Sequence, residues 1–211
     1  MAKNTLTPEV ILEQAIVLAK KSSWESFSLT ELASVLECSL SDIKQCYRSK
    51  DDMAEALFSR ADDAMLDLTS DEAYRDLSSD DKLVECLMVW FETLAAYKSL
   101  VREILAYKLE PGHFHLQAHG ITRISRTVQW FLETSNRKST GLERIAEEVA
   151  VTSTYLASFS FFLFDNSQQH ANTRALLKSL IKKIAQGQRL FFTPAITKPV
   201  QINRHNSPET K

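Results

Sequence analysis

The chain has 211 residues, of which 44% are hydrophobic and 25% are charged, and its formal net charge is −2. This length suits one large domain or a small domain attached to a larger one, and the near-neutral charge gives no global sign of a nucleic-acid partner. The four Gly and five Pro are few for the turns of a β-sheet protein, so the composition favours an all-helical fold.

The cysteines and the apolar stretches bear on where the protein works. Cys38, Cys46 and Cys86 are odd in number and have no CxxC spacing, which argues against a disulfide framework or a thiolate zinc site and favours a reducing cytoplasm. The first 21 residues show no export signal. The uncharged stretch 149–164 is shorter than the roughly 20 residues that span a bilayer, so it predicts a buried helix and no membrane span.

Capping signals predict four helices in the first third of the chain. Thr7, Pro8 and Glu9 predict a first helix from Pro8 to about Lys21. Ser28 and Glu31 form a capping-box pattern at the start of a second helix. Ser39 opens a short third helix, and Ser49 opens a fourth that runs from Lys50 to about Thr69.

Five further helices are expected after an acidic connector at residues 69–81, which brings the predicted total to nine. Pro111 and Gly112 predict a break before the seventh helix, and a polar loop near residue 137 separates the seventh from the eighth. Beyond Phe192 the chain is rich in Pro and polar residues, so residues 193–211 are expected to form a mobile tail. The five helices are expected at about 82–98, 100–109, 114–135, 142–165 and from about residue 172.

The second and third predicted helices suggest a helix-turn-helix. Each is too short to be stable alone, so both are expected to bury their apolar sides against the first helix, with Trp24 and Phe27 closing the underside. In a helix-turn-helix, the second helix of the pair lies in the major groove of DNA. The segment that begins near Ser39 is therefore the candidate recognition helix.

Residues 12–58 resemble the TetR family of bacterial regulators. The resemblance rests on "LEQAIVLAKKSSW" and "LTELASVLECSLSDIKQCYRSKDDM", and the expected nine-helix plan extends it to the whole chain. It implies an all-α, TetR-like homodimer that binds a palindromic operator in double-stranded DNA and is released, as a repressor, by a small apolar effector. The implied division is a helix-turn-helix domain at 1–58, a ligand-binding and dimerisation domain at 59–192, and the tail at 193–211.

The DNA-binding prediction covers base-facing and backbone-facing side chains. The chain departs from the family pattern at Glu37, where Gly is usual in the turn, and at Lys44, where Tyr is usual. Residues 1–58 also hold nine acidic against six basic residues, which leaves open a three-helix unit that has lost its DNA contacts. The predicted base-facing residues are Leu40, Ser41, Lys44 and Gln45, and the predicted backbone-contacting residues are Ser28, Thr30, Tyr47, Arg48 and Lys50. Ser39, at the start of the helix, completes the predicted DNA-binding set.

A second resemblance supports a rival function. The segment "FFLFDNSQQHANTRALLKSLIKKI" resembles the C-terminal pattern of the mitochondrial ubiquinone-biosynthesis lipid-binding protein and its bacterial TetR-like relatives. That resemblance implies a lipid-binding accessory protein with a vestigial DNA-binding unit. The match covers about 25 residues, and Leu163 or Phe164 stands where the pattern has Trp.

The predicted regulatory body contains candidate ligand and dimer residues. Aromatic residues with a polar atom could line a pocket between helices, although most aromatic residues must form the core; the candidates are Trp90, Tyr107, Trp130 and Tyr155. Small and apolar residues of the last two helices predict half of a four-helix dimer interface, with packing inside one chain as the alternative. The predicted interface residues are Ala150, Ser153, Thr154, Ala157, Leu176, Leu180 and Ile184.

Catalysis, cofactor binding and metal binding find little support in the sequence. His113, His115 and His119 could suggest a metal site, but they lack an acidic partner at matching spacing and read better as a polar helix start. Phosphate-binding Gly loops, GxSxG and HExxH are absent. The sequence therefore predicts a protein that is not an enzyme, with no cofactor and no metal.

Overall fold

The computed structural model describes residues 6–110 and 114–192, without the side chains of 114–118, 189, 191 and 192, and every regular element in these ranges is a helix. Short 3₁₀ turns cover Leu68–Ser70, Ala95–Tyr97 and Gln168–His170. The predicted all-α fold is confirmed. The α-helices are α1 (Pro8–Lys21), α2 (Leu29–Val35), α3 (Leu40–Cys46), α4 (Lys50–Asp67), α5 (Glu72–Arg75), α6 (Ser79–Thr93), α7 (Lys98–Leu109), α8 (Phe114–Thr134), α9 (Gly141–Phe162) and α10 (Ala171–Phe192).

One helix in the described ranges was not predicted, and it raises the expected nine to ten. The segment read as an acidic connector contains the one-turn helix α5, whose first turn is capped by Asp71. The anchor of this turn is Tyr74, which is buried and whose hydroxyl donates to the carbonyl of Thr134 at 3.0 Å and lies 2.7 Å from the sulfur of Cys86. Because these contacts come from α6 and α8, tertiary packing determines the helix and local propensity does not.

The first three helices pack into one small unit. Ile11, Trp24, Phe27, Leu32 and Ile43 are all nearly inaccessible to solvent and form its interior. Each helix begins at a hydroxyl side chain that accepts a backbone N–H, as the sequence predicted for Thr7, Ser28 and Ser39. The full reciprocal capping box lies at Ser39 and Asp42, one helix later than the sequence pattern at Ser28 suggested.

The turn between α2 and α3 has a backbone conformation that favours Gly, although Glu37 stands at that position. Glu37 has a φ of 51°, in the left-handed region. The N–H of Cys38 bonds to the carbonyl of Ala33 at 3.0 Å, and the N–H of Glu37 bonds to that of Ser34 at 3.3 Å. This pair of bonds is a Schellman motif, which usually places Gly where Glu37 stands. Glu37 therefore adopts a strained backbone conformation in which Gly would be relaxed.

The body of the protein is built around stacked and edge-to-face aromatic rings. Trp90 on α6 lies edge-on to Tyr155 and Phe159 of α9, at centroid distances of 5.3 and 5.2 Å. Phe91 stacks on Phe162 at 5.2 Å, and Phe131 of α8 closes the cluster against Tyr155 at 5.4 Å. Such contacts add to the hydrophobic gain of burying large rings. The cluster fixes α6, α8 and α9 relative to one another.

Three sets of contacts join the small N-terminal unit to the body. The backbone N–H of Trp24 donates to Glu103 on α7 at 2.9 Å, and the ammonium of Lys20 lies 5.0 Å from the ring centre of Tyr97. Lys108 on α7 bonds to Asp51 and Glu55 on α4. Since α4 also follows α3 after only three residues, the position of α3, the candidate recognition helix, is coupled to the body by packing and by the chain itself.

Candidate nucleic-acid interface and ligand cavity

Helix α3 presents one side to solvent and buries the other. Ile43 is 1% exposed and packs inward, whereas Leu40 is 50% exposed and Ser41, Lys44 and Gln45 are also exposed. The capping box at Ser39 fixes the start of this short helix. Four of the predicted base-facing residues therefore share an accessible surface of the helix that a helix-turn-helix would insert into the major groove.

Two of the predicted DNA-binding side chains serve the protein itself. Tyr47 is buried, and its hydroxyl donates to the carbonyl of Pro8 at 3.1 Å. The ammonium of Lys50 donates to the carbonyls of Glu25 and Phe27 at 2.9 and 3.0 Å, and burial lowers its pKa. Both side chains hold α1 and the α1–α2 loop against the start of α4. Their predicted contact with the DNA backbone is therefore corrected to a contact within the protein.

The other predicted backbone-contacting residues lie at the surface. Ser28 and Thr30 at the start of α2 are exposed, and the Ser28 hydroxyl accepts the N–H of Glu31. Arg48 is also exposed, and its backbone N–H donates to Asp52 at 2.8 Å while its side chain extends from the loop after α3. These positions flank α3, where phosphate groups pass in helix-turn-helix complexes.

The acidity of residues 1–58 is partly neutralised from outside this range. Arg60 pairs with Glu13 at 2.5 Å. Lys108 pairs with Asp51 at 2.5 Å and with Glu55 at 2.8 Å, and Arg123 also pairs with Glu55. Three of the nine acidic residues counted from the sequence are thus bound to cations of later helices. The acidic balance is consequently a weaker objection to DNA binding than the sequence suggested.

A cavity of about 460 Å³ lies between α4, α6, α7, α8 and α9. Its volume falls in the range of small-molecule sites. Most of its wall is aromatic or aliphatic, and the charged lining residues are Glu55 and Arg123. The lining residues are Glu55, Phe58, Trp90, Leu105, Leu109, Gly120, Ile121, Arg123, Ile124, Tyr155, Leu156, Phe159 and Ser160.

An ion and hydrogen-bond network lies against the α4 side of the cavity. The guanidinium of Arg123 on α8 donates to Glu55 at 3.1 Å and to Asp62 at 2.8 Å. Asp62 also accepts from the indole N–H of Trp90 at 2.8 Å and from the hydroxyl of Thr127 at 3.2 Å. Burial raises the pKa of Asp62, although Arg123 and these donors oppose the rise. The network ties α4 to α6 and α8 directly beside the cavity.

The structure brings together two of the four predicted ligand residues. Trp90 and Tyr155 line the cavity, but Tyr107 and Trp130 are not among the described residues that line it, and Trp130 is 42% exposed. The sequence analysis missed Glu55 and Arg123. No local signal marked Arg123, because Thr122, Ser125 and Arg126 make its surroundings as polar as those of an exposed helix.

The predicted dimer residues divide between the surface and the interior. Ser153 and Ala157 are exposed, and Ala150, Leu176, Leu180 and Ile184 are half-buried, but Thr154 is buried and therefore faces the chain's own core. The predicted role of Thr154 in an interface is corrected accordingly. Large apolar side chains that were not predicted also stand on the outer side of α9, namely Leu142, Ile145, Val149 and Phe161.

The C-terminal pattern that supported the rival function has a local structural explanation. Asp165 accepts the N–H of Ser167 at 2.9 Å and both the N–H and hydroxyl of Thr173 at 2.9 and 2.6 Å. Burial raises the pKa of Asp165, but these hydrogen bonds outweigh burial and hold it below the ordinary value. The segment is thus a cap that joins α9 to the start of α10.

One of the three histidines that could suggest a metal site has a described side chain. His113 and the side chain of His115 lie outside the described residues, as does the predicted tail at 193–211, and His119 is exposed at 3.8 Å from Asp51. Over the described ranges, no three His, Cys, Asp or Glu side chains converge as metal ligands would. None of the described helices combines the length and the apolar character that crossing a bilayer requires.

Comparisons with known proteins gave matches among solved structures. The chain is similar to the TetR transcriptional regulator from Nitrosomonas europaea, with 33% identity over 85% of this chain and 98% of that chain and a TM-score of 0.75. Two further matches, each with a TM-score of 0.49, are a tetR-family regulatory protein from Rhodococcus RHA1 (15% identity, 84% and 96% of the two chains) and FadR from Bacillus subtilis in complex with stearoyl-CoA (13%, 83% and 98%). No family model and no curated protein matched the sequence.

Proposed function

The chain belongs to the TetR family of transcriptional regulators, and from this membership we propose that it is a repressor that a small apolar effector releases from operator DNA. In this proposal residues 1–58 bind DNA, and residues 59–192 bind the effector and form a homodimer. The protein is a regulator and not an enzyme. The lipid-binding accessory function is not retained, because its main motif is a helix cap and the similar structures are regulators.

The observation that carries the proposal is the position of α4 between the two functions. Its first residue, Lys50, follows the end of α3 at Cys46 by four positions, and its residues Glu55 and Phe58 line the cavity. A ligand that enters the cavity must contact this helix or the network that holds it. If the ligand binds one arrangement of α4 better than the other, it shifts the population toward that arrangement.

The proposed homodimer supplies the geometry for a palindromic operator. A two-fold pair of α3 helices would reach half-sites about 34–36 Å apart, one turn of DNA. The exposed apolar row on the outer side of α9, with Val149 62% exposed and Ile145 60% exposed, supports α9 and α10 as the dimer surface. In this proposal, dimer formation through α9 and α10 would leave the recognition helix accessible.

Selection from a random duplex pool tests DNA binding. The selected sequences should contain two inverted half-sites, and fluorescence anisotropy with that duplex should show weaker binding by Lys44→Ala. If Lys44 contacts a phosphate, its replacement should also reduce the slope of log K against log salt concentration by about 1. Lys178→Ala, which removes an exposed cation from α10, is the matched control. A pool with no inverted repeat, or equal losses in the two variants, would contradict the proposal.

Blocking the cavity tests effector release. Ile124→Trp places a large side chain in the cavity wall and should mimic a bound effector or prevent its binding. The control, Ile145→Trp, makes the same change on the outer side of α9. The first variant should alter retention of the selected duplex or its release by a cell extract's small-molecule fraction. Unchanged behaviour of a folded Ile124→Trp protein in both measurements would count against the cavity as the effector site.

A further inference from the structure

The hydroxyl of Tyr155 is a polar group of the cavity that its own protein leaves unpaired. The residue is 5% exposed and lines the cavity, and no hydrogen bond joins its hydroxyl to the part of the chain that the structure describes. Its ring is fixed edge-on to Trp90 at 5.3 Å and beside Phe131 at 5.4 Å. A ligand that covers this hydroxyl without accepting its proton would leave it buried and unpaired, which costs free energy. A ligand with an acceptor oxygen at this point avoids that cost.

Most of the remaining polar side-chain groups of the lining are already paired. The hydroxyl of Ser160 donates to the carbonyl of Leu156 at 2.8 Å. The two carboxylate oxygens of Glu55 are divided between Lys108 at 2.8 Å and Arg123 at 3.1 Å. Arg123 also reaches Asp62 through its other terminal nitrogen, and its buried Nε has no partner in the described part of the chain. The Tyr155 hydroxyl is consequently the uncharged lining group best placed to donate to a polar atom of a ligand.

The charges around the cavity disfavour an anionic ligand. Both cations at this wall, Arg123 and Lys108, are held by carboxylates, and together with Asp51 and Asp62 the acids of the network outnumber them. A carboxylate or phosphate group in the cavity would lie near Glu55, and the cation beside it, Arg123, already pairs with two carboxylates. The cost of burying an unpaired charge makes this unfavourable.

A cationic ligand meets the opposite difficulty. It would need a free carboxylate in the cavity wall, and both oxygens of Glu55 are paired, while Asp62 is turned toward Arg123, Trp90 and Thr127. A neutral oxygen atom on the ligand requires no charged partner in the cavity wall. Burial raises the pKa of Tyr155, with Asp62 adding to the rise, so the hydroxyl keeps its proton at neutral pH and can donate it.

We propose that the effector is an uncharged, largely apolar molecule of roughly 20 non-hydrogen atoms, whose carbonyl oxygen accepts a hydrogen bond from Tyr155. Its apolar body would contact Leu105, Ile121, Ile124 and Leu156. This inference rests on the proposed function, because it takes the cavity to be the effector site. It adds the chemical class of the ligand and the residue that selects it.

Titration calorimetry with three ten-carbon probes, in the absence of DNA and at pH 8, tests the class. Decan-2-one should bind the full-length protein, and decanoate and decyltrimethylammonium should bind at least about tenfold more weakly. Tyr155→Phe keeps the ring stack and should weaken decan-2-one about tenfold, the loss of one buried hydrogen bond. Tyr97→Phe removes a tyrosine hydroxyl outside the cavity lining, and it should leave the affinity unchanged.

Each contrary outcome overturns the inference. These are equal binding of decan-2-one by Tyr155→Phe and the wild type, binding of either ionic probe as tightly as the ketone, or no binding by any probe. Thermal melting of both variants shows that they are folded. Because the titration contains no DNA, ketone binding through Tyr155 without release of the selected duplex would refute only the proposed effector function, and the recognition of a neutral oxygen would stand.

Discussion

Replacement of Glu37 by Gly should stabilise the protein, because the backbone at this position already has a glycine conformation. With φ at 51°, Glu37 closes the Schellman motif after α2. A side chain in the left-handed region costs about 1–2 kcal/mol, and Gly gives back about 0.5–1 kcal/mol through the greater freedom of the unfolded chain. The expected net gain is about 0.5–1 kcal/mol.

A matched variant separates strain from charge. Glu37→Ala removes the same carboxylate and keeps a Cβ in the left-handed region, so it should show none of the gain. Denaturant unfolding should place Glu37→Gly above Glu37→Ala by about 1 kcal/mol, or about 2–4 °C in a thermal melt. For DNA affinity the order differs, since both variants remove one negative charge near the proposed interface and should strengthen binding equally at low salt.

Two results would refute the reasoning on Glu37. If Glu37→Gly were no more stable than Glu37→Ala, the left-handed backbone would carry no measurable strain. If the two variants differed in DNA affinity as much as in stability, the turn would affect α3 through its conformation, and the charge argument would be wrong.

Four further outcomes are expected. Arg123→Met should destabilise the protein by about 3–5 kcal/mol in urea unfolding, because it leaves Asp62 without its buried cation and Glu55 with Lys108 alone. Arg60→Met, which breaks a more exposed pair, should cost less than about 1 kcal/mol. Asp165→Asn should cost about 1–3 kcal/mol at pH 7. Since the pKa of Asp165 is lowered on folding, its contribution is present above the ordinary Asp pKa and is lost as the pH falls through the folded value, so wild type and variant should converge in acid. Val149→Glu should shift the protein from dimer to monomer in sedimentation velocity, and an unchanged mass would contradict the proposed dimer surface.

The sequence predicted the helices well where local chemistry marks their ends. The hydroxyl caps at Thr7, Ser39 and Ser49 gave the first residues of α1, α3 and α4 as the structure has them. These caps act within three residues, so a linear pattern contains them. By contrast, α5 exists because Tyr74 reaches Thr134, and a contact across 60 positions leaves no local signal.

The candidate cavity was predicted only in its aromatic part. Trp90 and Tyr155 follow from the preference of pockets for aromatic side chains with a polar atom, whereas Arg123 and Glu55 meet across 68 positions. A similar separation in sequence explains why residues 1–58 were judged too acidic. Asp51 and Glu55 pair with Lys108 and Arg123, which lie outside the range whose charges were counted. Pairing of charges between distant helices is the information that composition lacks.

In the proposed release from DNA, the 18-residue α4 would act as a lever arm. Asp62, clamped by Arg123, Trp90 and Thr127, is a natural fulcrum, and Lys50 stands twelve residues away, about 18 Å along the axis at a rise of roughly 1.5 Å per residue. A rotation of about 10° around that fulcrum would sweep the tip through about 3 Å, close to the roughly 3.4 Å step between adjacent base pairs. In a two-fold assembly the N-terminal ends of both α4 helices would move. The separation of the two α3 helices would then differ from the half-site spacing by nearly two base-pair steps.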